Sequence, residues 1–323
     1  MVRRRMRAAA AWLVLAAALR CEALVYTVTN VVDVHLSEPS GAWTNSGWRE
    51  SVLLGDYMGA VFHSNAVLTA KHLNFSKGLT FSYEGQTRTV TAVTNDPNSD
   101  LSVLLFSPAA TAVARLNIET DDVFSAVVLQ GRGRERGAPV VVDGRTNGWQ
   151  WGAVRKLRRW GLNRYEGATP DAAALAVASF DDNGDPDECM LSAGDSGGPG
   201  FVRTGSGWKL ATVNYSVFPA WFSASTNPVS GFYASLTDCA GLFYDNEAGG
   251  WAYVPPEDSP APCLMVNTRT AVRLAWITNA VPGLAFPADI GLAWRCATNA
   301  PSVAVAATGL WFEVVASNAG PYT

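Results

Sequence analysis

Residues 192–200 read SAGDSGGPG, and the interpretation of the whole chain starts from this stretch. Glycine costs up to about 1 kcal/mol of backbone entropy in a helix or strand interior, so the composition predicts a tight turn. Such a turn holds the Ser196 hydroxyl outward and directs backbone N–H groups into a small concavity. A serine hydroxyl is a weak nucleophile without a neighbouring base. The turn therefore predicts a histidine base and an orienting acid elsewhere in the chain.

Both partners are present. His72 ends the apolar, strand-like run AVLTAKH at 66–72, and Asp100 opens a second apolar run, DLSVLLF at 100–106. Taken singly, the first is compatible with a structural histidine and the second with a turn-forming aspartate. Taken with Ser196 in the order His, Asp, Ser, they indicate nucleophilic catalysis by a triad. The other two histidines, His35 and His63, are interpreted as ordinary loop or strand residues.

Three sequence boxes carry a resemblance to the chymotrypsin/trypsin family. LTAKH at 68–72 resembles the family's LTAAH box, SDLSVLLF at 99–106 resembles its D-I-A-L-L box, and GDSGGP at 194–199 matches its nucleophile box. The resemblance implies a serine endopeptidase that acts on proteins or peptides and needs no metal or organic cofactor. It implies that His72 is the base, Asp100 the orienting acid and Ser196 the nucleophile. The backbone N–H groups of Gly194 and Ser196 would form the oxyanion hole.

Short runs rich in Val, Ile, Thr, Tyr, Phe and Trp, such as 58–62, 89–93 and 209–215, predict an all-β fold. The resemblance implies two packed six-stranded antiparallel Greek-key barrels with the active site in the cleft between them. We place the first barrel at 24–130 and the second at 131–248, with the boundary in the glycine-rich, charged stretch 131–137. Residues 231–237 resemble the last strand of the family, and Ser235 is expected to cap a short helix beyond it.

The remaining residues, 249–323, are expected to form a linker and a small accessory C-terminal β extension. The run PPEDSPAP at 255–262 is typical of a stiff linker, and alternation in 270–278, 290–297 and 303–316 predicts strands. Two interpretations remain open, a separate β module and an extension that packs on the second barrel.

Residues 1–23 are expected to be a signal peptide, because four arginines precede an apolar run at 8–19 that is short for a membrane span. Cleavage after Ala23 would give a secreted or periplasmic protein that is not held in a membrane. A lipid-modified Cys21 is the alternative, which Arg20 disfavours. Removal of 1–23 leaves 19 basic and 27 acidic residues, a net charge of −8, which argues against nucleic acid as a partner. The oligomeric state stays open.

Two departures from the family concern activation and cysteines. In the family, a new chain terminus pairs with the aspartate before the nucleophile, here Asp195, but this chain has no I-V-G-G-like terminus. Either a processed terminus such as Leu24 reaches Asp195 or another donor does, and we expect constitutive activity. Four cysteines remain after signal removal, and their even number predicts two disulfides with three possible connectivities. The simplest pairing joins Cys189 to Cys239 and Cys263 to Cys296.

The resemblance also implies a primary specificity pocket. Its expected residues are Met190, Leu191, Ala193, Asn214, Tyr215 and Ser216. Counting back from Ser196 puts Met190 at the floor, which favours aromatic or aliphatic substrate side chains. The acidic run 181–188 is expected to be a solvated loop. The alternatives are that this run attracts basic substrates or that it binds calcium through Asp181, Asn183 and Asp185. Pro186 departs from the calcium-loop pattern.

Two rival functions fit the same residues. One is a protease-like binding or adhesion module without catalysis, and the other is an esterase that uses the same triad. An intact Ser-His-Asp set favours an enzyme, because a binding module requires none of the three.

Overall fold

The computed structural model describes residues 24–27, 35–170, 174–181, 185–226, 228–246, 250–257, 259–284, 303–307 and 310–314. Their regular secondary structure is almost all β-strand in barrel-like sheets, so the predicted all-β class is confirmed. One compact unit runs to Leu274, and a second begins at Ala275. The predicted signal peptide, with Cys21, and the tail cysteine Cys296 lie outside the described residues.

The strands fall into successive groups along the chain. The first seven are β1 (Val25–Tyr26), β2 (Ser51–Leu54), β3 (Tyr57–His63), β4 (Ala66–Ala70), β5 (Thr80–Tyr83), β6 (Gln86–Asn95) and β7 (Leu101–Ser107). The next nine are β8 (Ala126–Gly131), β9 (Arg134–Val142), β10 (Arg145–Val154), β11 (Arg159–Arg164), β12 (Gly167–Ala168), β13 (Ala176–Ser179), β14 (Cys189–Met190), β15 (Pro199–Thr204) and β16 (Gly207–Phe218). The last seven are β17 (Trp221–Ser223), β18 (Phe232–Leu236), β19 (Phe243–Asp245), β20 (Trp251–Tyr253), β21 (Leu264–Arg269), β22 (Val303–Ala307) and β23 (Leu310–Val314). Short 3₁₀ turns occupy Gly41–Trp43, Lys71–Leu73, Pro228–Ser230 and Ala271–Arg273, and α1 spans Leu274–Ala280.

The first sheet is antiparallel, with six strands in the order β2-β3-β4-β7-β6-β5. Its two edge strands, β2 and β5, also contact each other, so the sheet curls toward closure. Side chains alternate across the strands, and one face supplies a core that includes Phe81, Tyr83 and Leu104. This sheet carries the histidine and the aspartate.

The second sheet carries the serine and has seven strands in the order β11-β8-β15-β16-β21-β13-β12. Because β8 pairs with β11 and β15, residues 126–131 belong here and not to the first barrel. The first sheet already ends at Ser107, and 131–137 contains the end of β8 and the start of β9. The structure therefore moves the division between the two sheets into the segment between β7 and β8.

A third sheet, β20-β19-β17-β18-β10-β9, was not predicted. Two distant segments build it, the β9–β10 hairpin and the insertion that holds β17 to β20. It shares a hydrophobic core with the second sheet, in which Trp149 and Phe222 meet Leu129 and Met265. The predicted last strand, 231–237, is β18 of this third sheet. Ser235 lies in the middle of that strand and caps no helix.

The strand that completes the second sheet beside β16 is β21, and a 3₁₀ turn and α1 follow it. Residues 250–269 therefore belong to the compact unit, where the sequence predicted a linker, and 271–278 are helical where a strand was predicted at 270–278. The predicted alternation in 303–316 agrees with a hairpin of β22 and β23. The predicted strand at 290–297 lies outside the described residues.

Candidate active site

His72 and Asp100 are brought together by strand register. Ala70, the last residue of β4, pairs with Leu101, the first residue of β7, so the residues just outside these strands are neighbours. The 3₁₀ turn Lys71–Leu73 then projects the imidazole, and Asn74, at φ 52°, ends the turn. Lys71, which replaces the alanine of the family box, donates from Nζ to the carbonyl of Asp96 at 2.8 Å.

The Asp100 carboxylate accepts two hydrogen bonds from one residue. Oδ2 lies 2.6 Å from Nδ1 of His72, and Oδ1 accepts from the His72 backbone N–H at 2.9 Å. The carboxylate is 10% exposed and the imidazole 40%. Because a carboxylate only accepts, the bond places a proton on Nδ1 and leaves Nε2 as the basic nitrogen. This is the arrangement that a general base requires.

Ser196 lies in the predicted turn, partly exposed, between β14 and β15. The next residue, Gly197, has φ 77°, and a Cβ there would lie 2.4 Å from Thr69 Oγ1 and 2.9 Å from Leu73 Cδ1. The serine turn is therefore pressed against β4 and against the residue that follows His72. Only glycine fits at this contact, so the first and second sheets meet where the base and the hydroxyl are carried.

The His72 imidazole lies beside Tyr215, a residue that also lines the pocket next to Ser196. Its ring centroid lies 6.1 Å from that of Tyr215, and Tyr215 lines a pocket with Ser196. The Ser196 hydroxyl makes no hydrogen bond within the described part of the chain. The structure thus joins His72 to Asp100 by a hydrogen bond and places Tyr215 next to both His72 and Ser196, without a bond from the Ser196 hydroxyl to the imidazole.

The two predicted oxyanion donors are unoccupied. The backbone N–H groups of Gly194 and Ser196 donate no hydrogen bond to any described residue. Gly194 has φ 102°, and a Cβ there would lie 2.9 Å from the Cα of Gly133, so the turn needs a glycine at this position. Neighbouring N–H groups are committed, since Asp195 donates to Ser192 O at 3.1 Å and Gly197 to Asn214 O at 3.0 Å. The turn therefore leaves free the two donors that an oxyanion would use.

Asp195 is fully buried and already has hydrogen-bond donors. Its Oδ1 accepts from the Gly133 N–H at 2.7 Å, and its Oδ2 accepts from the N–H and hydroxyl of Ser192 at 2.7 and 2.8 Å. Leu24 is also buried, and it packs close to Asp195. Both side chains contact Gly131, where a Cβ would lie 2.1 Å from Asp195 Oδ1 and 2.9 Å from Leu24 Cδ2. The sequence left two sources of donors for Asp195, a processed terminus such as Leu24 or another group of the chain. In the structure, Gly133 and Ser192 are the donors, and Leu24 packs beside them.

We expect Asp195 to make stability fall as pH rises through weakly acidic values. Burial raises its pKa to about 6, against the lowering effect of the Gly133 and Ser192 hydrogen bonds. The folded chain then binds a proton that the unfolded chain has lost between about pH 4 and pH 6. The free energy of unfolding should drop by about 3 kcal/mol across that window, at 1.36 kcal/mol per pKa unit. Urea unfolding from pH 4 to 7 measures the drop, and an equal slope in Asp195→Asn would contradict it.

The pocket beside Ser196 has a volume of about 170 Å³, and no charged side chain lines it except the buried Asp195. Of the predicted residues, four line it, namely Leu191, Ala193, Tyr215 and Ser216. Met190 does not, because it is buried in β14 opposite Val25. Asn214 does not either, since its Nδ2 donates to the carbonyls of Gln130 and Asp195 and so supports the serine turn from behind.

Sequence reasoning missed four lining residues, Trp151, Ser192, Val217 and Ala220. Trp151 reaches the pocket from β10 of the third sheet, and its Nε1 donates to Ser235 Oγ at 2.8 Å. Ser235 Oγ in turn donates to the carbonyl of Leu191 at 3.2 Å, which fixes the indole against the pocket wall. The local signal was present as an aromatic pair at 149 and 151, but nothing in the sequence indicated that the hairpin folds back to the serine.

The acidic run has internal hydrogen bonds in its described part. Glu188 Oε1 accepts from the Asp181 N–H at 2.6 Å, and Asp185 Oδ1 accepts from the Asp187 N–H at 2.9 Å. Asn183 lies outside the described residues, so the calcium alternative stays a prediction. Over the residues that can be described, no group of three or more potential metal ligands occurs.

The other histidines lie away from the groove. His63 Nδ1 lies 2.6 Å from Asn65 Oδ1 at the end of β3. His35 is buried, with its ring centroid 4.0 Å from that of Trp160 and its Nε2 3.1 Å from Asp187 Oδ1. Burial lowers the pKa of His35, although Asp187 opposes this shift.

The predicted Cys189–Cys239 disulfide is not formed. The three described cysteines are free thiols, and Cys189 is buried under Gly161, where a Cβ would lie 2.6 Å from its Sγ. The sulfur near Cys239 belongs to Cys263, at 3.9 Å. The pairing of Cys263 with Cys296 remains a prediction, because Cys296 is outside the described range.

Comparison with known proteins assigns no family to the chain. No protein-family model matches the chain, and a search of the curated proteins found no match. Among the helices described, none has the length and apolar character needed to cross a membrane.

Proposed function

We propose that the chain is a secreted or periplasmic serine endopeptidase with His72, Asp100 and Ser196 as its triad. The observation that carries the proposal is the 2.6 Å bond from His72 Nδ1 to the Asp100 carboxylate, in the groove where Ser196 stands beside two unbonded N–H groups. A hydrogen-bonded, largely buried carboxylate, a histidine tautomer with a free Nε2 and a serine hydroxyl without other hydrogen bonds are what triad chemistry requires. The two-barrel arrangement of the chymotrypsin/trypsin family is part of this proposal.

The proposed reaction begins when Ser196 Oγ attacks a substrate carbonyl while Nε2 of His72 removes its proton. Because the hydroxyl makes no hydrogen bond within the described residues, its rotation toward Nε2 disrupts no existing contact. Asp100 holds the Nδ1 proton and stabilises the imidazolium. The N–H groups of Gly194 and Ser196 receive the oxyanion, His72 returns the proton to the leaving amine, and water hydrolyses the acyl-enzyme.

The residues that line the pocket favour substrates whose side chain before the cleaved bond is uncharged. A charged side chain would enter without an opposite charge to meet it, since the carboxylate of Asp195 is already held by Gly133 and Ser192. Leu191, Val217 and Trp151 supply apolar surface instead. The three donors on Asp195 also support activity without an activating cut.

Trp151→Ala should widen the pocket and change substrate preference. Loss of the indole opens the wall toward the third sheet, so the ratio of kcat/KM for an aromatic over a small aliphatic side chain should rise about 10–100-fold. A peptide library read by mass spectrometry measures the ratio. Trp221→Ala is the matched control, because Trp221 contacts Tyr233 of the same sheet and does not line the pocket. An equal ratio in both variants would refute this role for Trp151.

A fluorophosphonate probe tests the proposed function against its main rival. The enzyme should be labelled covalently on Ser196, as shown by peptide mapping, whereas a non-catalytic binding module would stay unlabelled. An esterase would be labelled too, and a panel of matched peptide and ester substrates then separates the two enzymes. Hydrolysis of esters without any cleavage of peptides would contradict the endopeptidase.

A further inference from the structure

Two buried thiols face each other where the insertion of the third sheet returns to the second sheet. Cys239 follows β18, and Cys263 immediately precedes β21. Their side chains are almost fully buried, and their sulfurs are 3.9 Å apart. The chain between them holds β19 and β20.

The backbones beside these thiols are already held together. The Cys239 N–H donates to Ala261 O at 2.8 Å, and the Cys263 N–H donates to Leu236 O at 2.8 Å. Each bond joins one cysteine to a residue two or three positions away from the other cysteine, so the two chain segments run side by side. Disulfide formation then requires the two sulfurs to close from 3.9 Å to about 2.0 Å.

The third described thiol is differently placed. Cys189 lies in β14 against Gly161, and its β-strand partner is Tyr26. Across the described residues, Cys239 and Cys263 are the two cysteines whose sulfurs approach each other. The geometry therefore selects one pairing among those that the sequence left open.

We propose that Cys239 and Cys263 form an intramolecular disulfide when the protein meets a disulfide oxidant such as glutathione disulfide. One cysteine thiolate attacks the oxidant, releases one glutathione thiolate and leaves a mixed disulfide. The second cysteine thiolate attacks that mixed disulfide and releases the second glutathione. The two cysteines give up two protons and two electrons, and one glutathione disulfide becomes two glutathione thiols.

The thiols react most readily while the chain is folding. The hydrogen bond with Cys263 and burial both raise the pKa of the Cys239 thiol, so little thiolate exists in the folded protein. Once formed, the cross-link lies next to the pocket wall. Cys263 Sγ is 3.2 Å from Pro219 O, and the Ala234 N–H donates at 3.0 Å to the carbonyl of the pocket residue Ala220.

The test is disulfide mapping on the full chain, refolded with excess glutathione disulfide. Unpaired thiols are blocked with N-ethylmaleimide in denaturant, and the unreduced digest is analysed by mass spectrometry. We expect one cross-linked species that joins the peptides of Cys239 and Cys263, lighter by two hydrogens than their sum. We expect the maleimide on Cys189. Free Cys239 and Cys263 after oxidation, or a bond from either one to another cysteine, would overturn the proposal.

Variants supply a second readout that does not depend on catalysis. Reduction should lower the thermal midpoint of the wild type and of the control Cys189→Ser. The double variant Cys239→Ser/Cys263→Ser should show no shift on reduction. An equal shift in all three proteins would contradict the assignment, and mapping of the wild type alone decides the case if the double variant does not fold.

Discussion

Ser196→Ala should abolish hydrolysis, with kcat lower on the order of 10⁶-fold, as is typical when a triad nucleophile is removed. The chain should stay folded, because the Ser196 hydroxyl makes no hydrogen bond within the described residues and the side chain is partly exposed. We expect the free energy of unfolding to change by less than about 0.5 kcal/mol. Activity on a peptide substrate and urea unfolding are the two measurements.

Ser192→Ala is the matched control, since it removes a second hydroxyl from the same turn. That hydroxyl bonds to Asp195 Oδ2 and to the backbone of Arg134, each at 2.8 Å. Its loss leaves buried groups unpaired and should cost about 1–3 kcal/mol of stability. The two variants should thus differ in both measurements: Ser196→Ala should keep its stability and lose turnover, whereas Ser192→Ala should lose stability and keep measurable turnover. Turnover that is retained in a pure sample of Ser196→Ala would contradict the proposed mechanism.

Asp100→Asn should lower kcat about 10⁴-fold while the groove keeps its shape. An asparagine can still accept from the His72 backbone N–H through its carbonyl oxygen. Its NH₂ group would then face Nδ1 and donate to it, which moves the imidazole proton to Nε2. The nitrogen that should accept the Ser196 proton would be protonated already. Asp100→Asn should therefore impair catalysis by changing the tautomer of His72, while the packing of the groove stays unchanged.

Steady-state kinetics and the rate of fluorophosphonate labelling measure this defect. Asp96→Asn serves as the control, because Asp96 lies in the same loop and accepts from the Asn98 N–H and the Ser99 hydroxyl without touching His72. The control should lose stability but keep most of its labelling rate. Equal losses of labelling in both variants would show that Asp100 acts only by holding the loop.

His72, Asp100 and the serine turn could be selected as candidates from the sequence because their signals are local. An apolar strand that ends on a histidine and one that begins after an aspartate can be recognised without knowing their register. The strand register, which pairs Ala70 with Leu101, then places the side chains of His72 and Asp100 next to each other. The all-β class could be predicted for the same reason, since alternation and turn residues are visible within a few positions.

Long-range pairing could not be predicted in this way. Both β18 and β21 are short strands that begin with apolar residues, so nothing local shows that β21 is the strand beside β16. The hairpin β9–β10 was likewise read as ordinary second-barrel sequence, although it pairs with β18 to build another sheet. Met190 was misplaced because counting back from Ser196 assumed the family spacing across a loop of different length.

The position of β21 ties the serine turn to residues that are synthesised late. Asn267 Nδ2 donates to Asn214 Oδ1 at 3.0 Å, and Asn214 Nδ2 donates to the Asp195 carbonyl at 3.0 Å. Ser196 therefore lacks its rear support until the ribosome has added more than seventy further residues. A nascent chain therefore cannot complete this support before residue 267 has been added, so under the proposed function hydrolysis should appear only after that stage of synthesis.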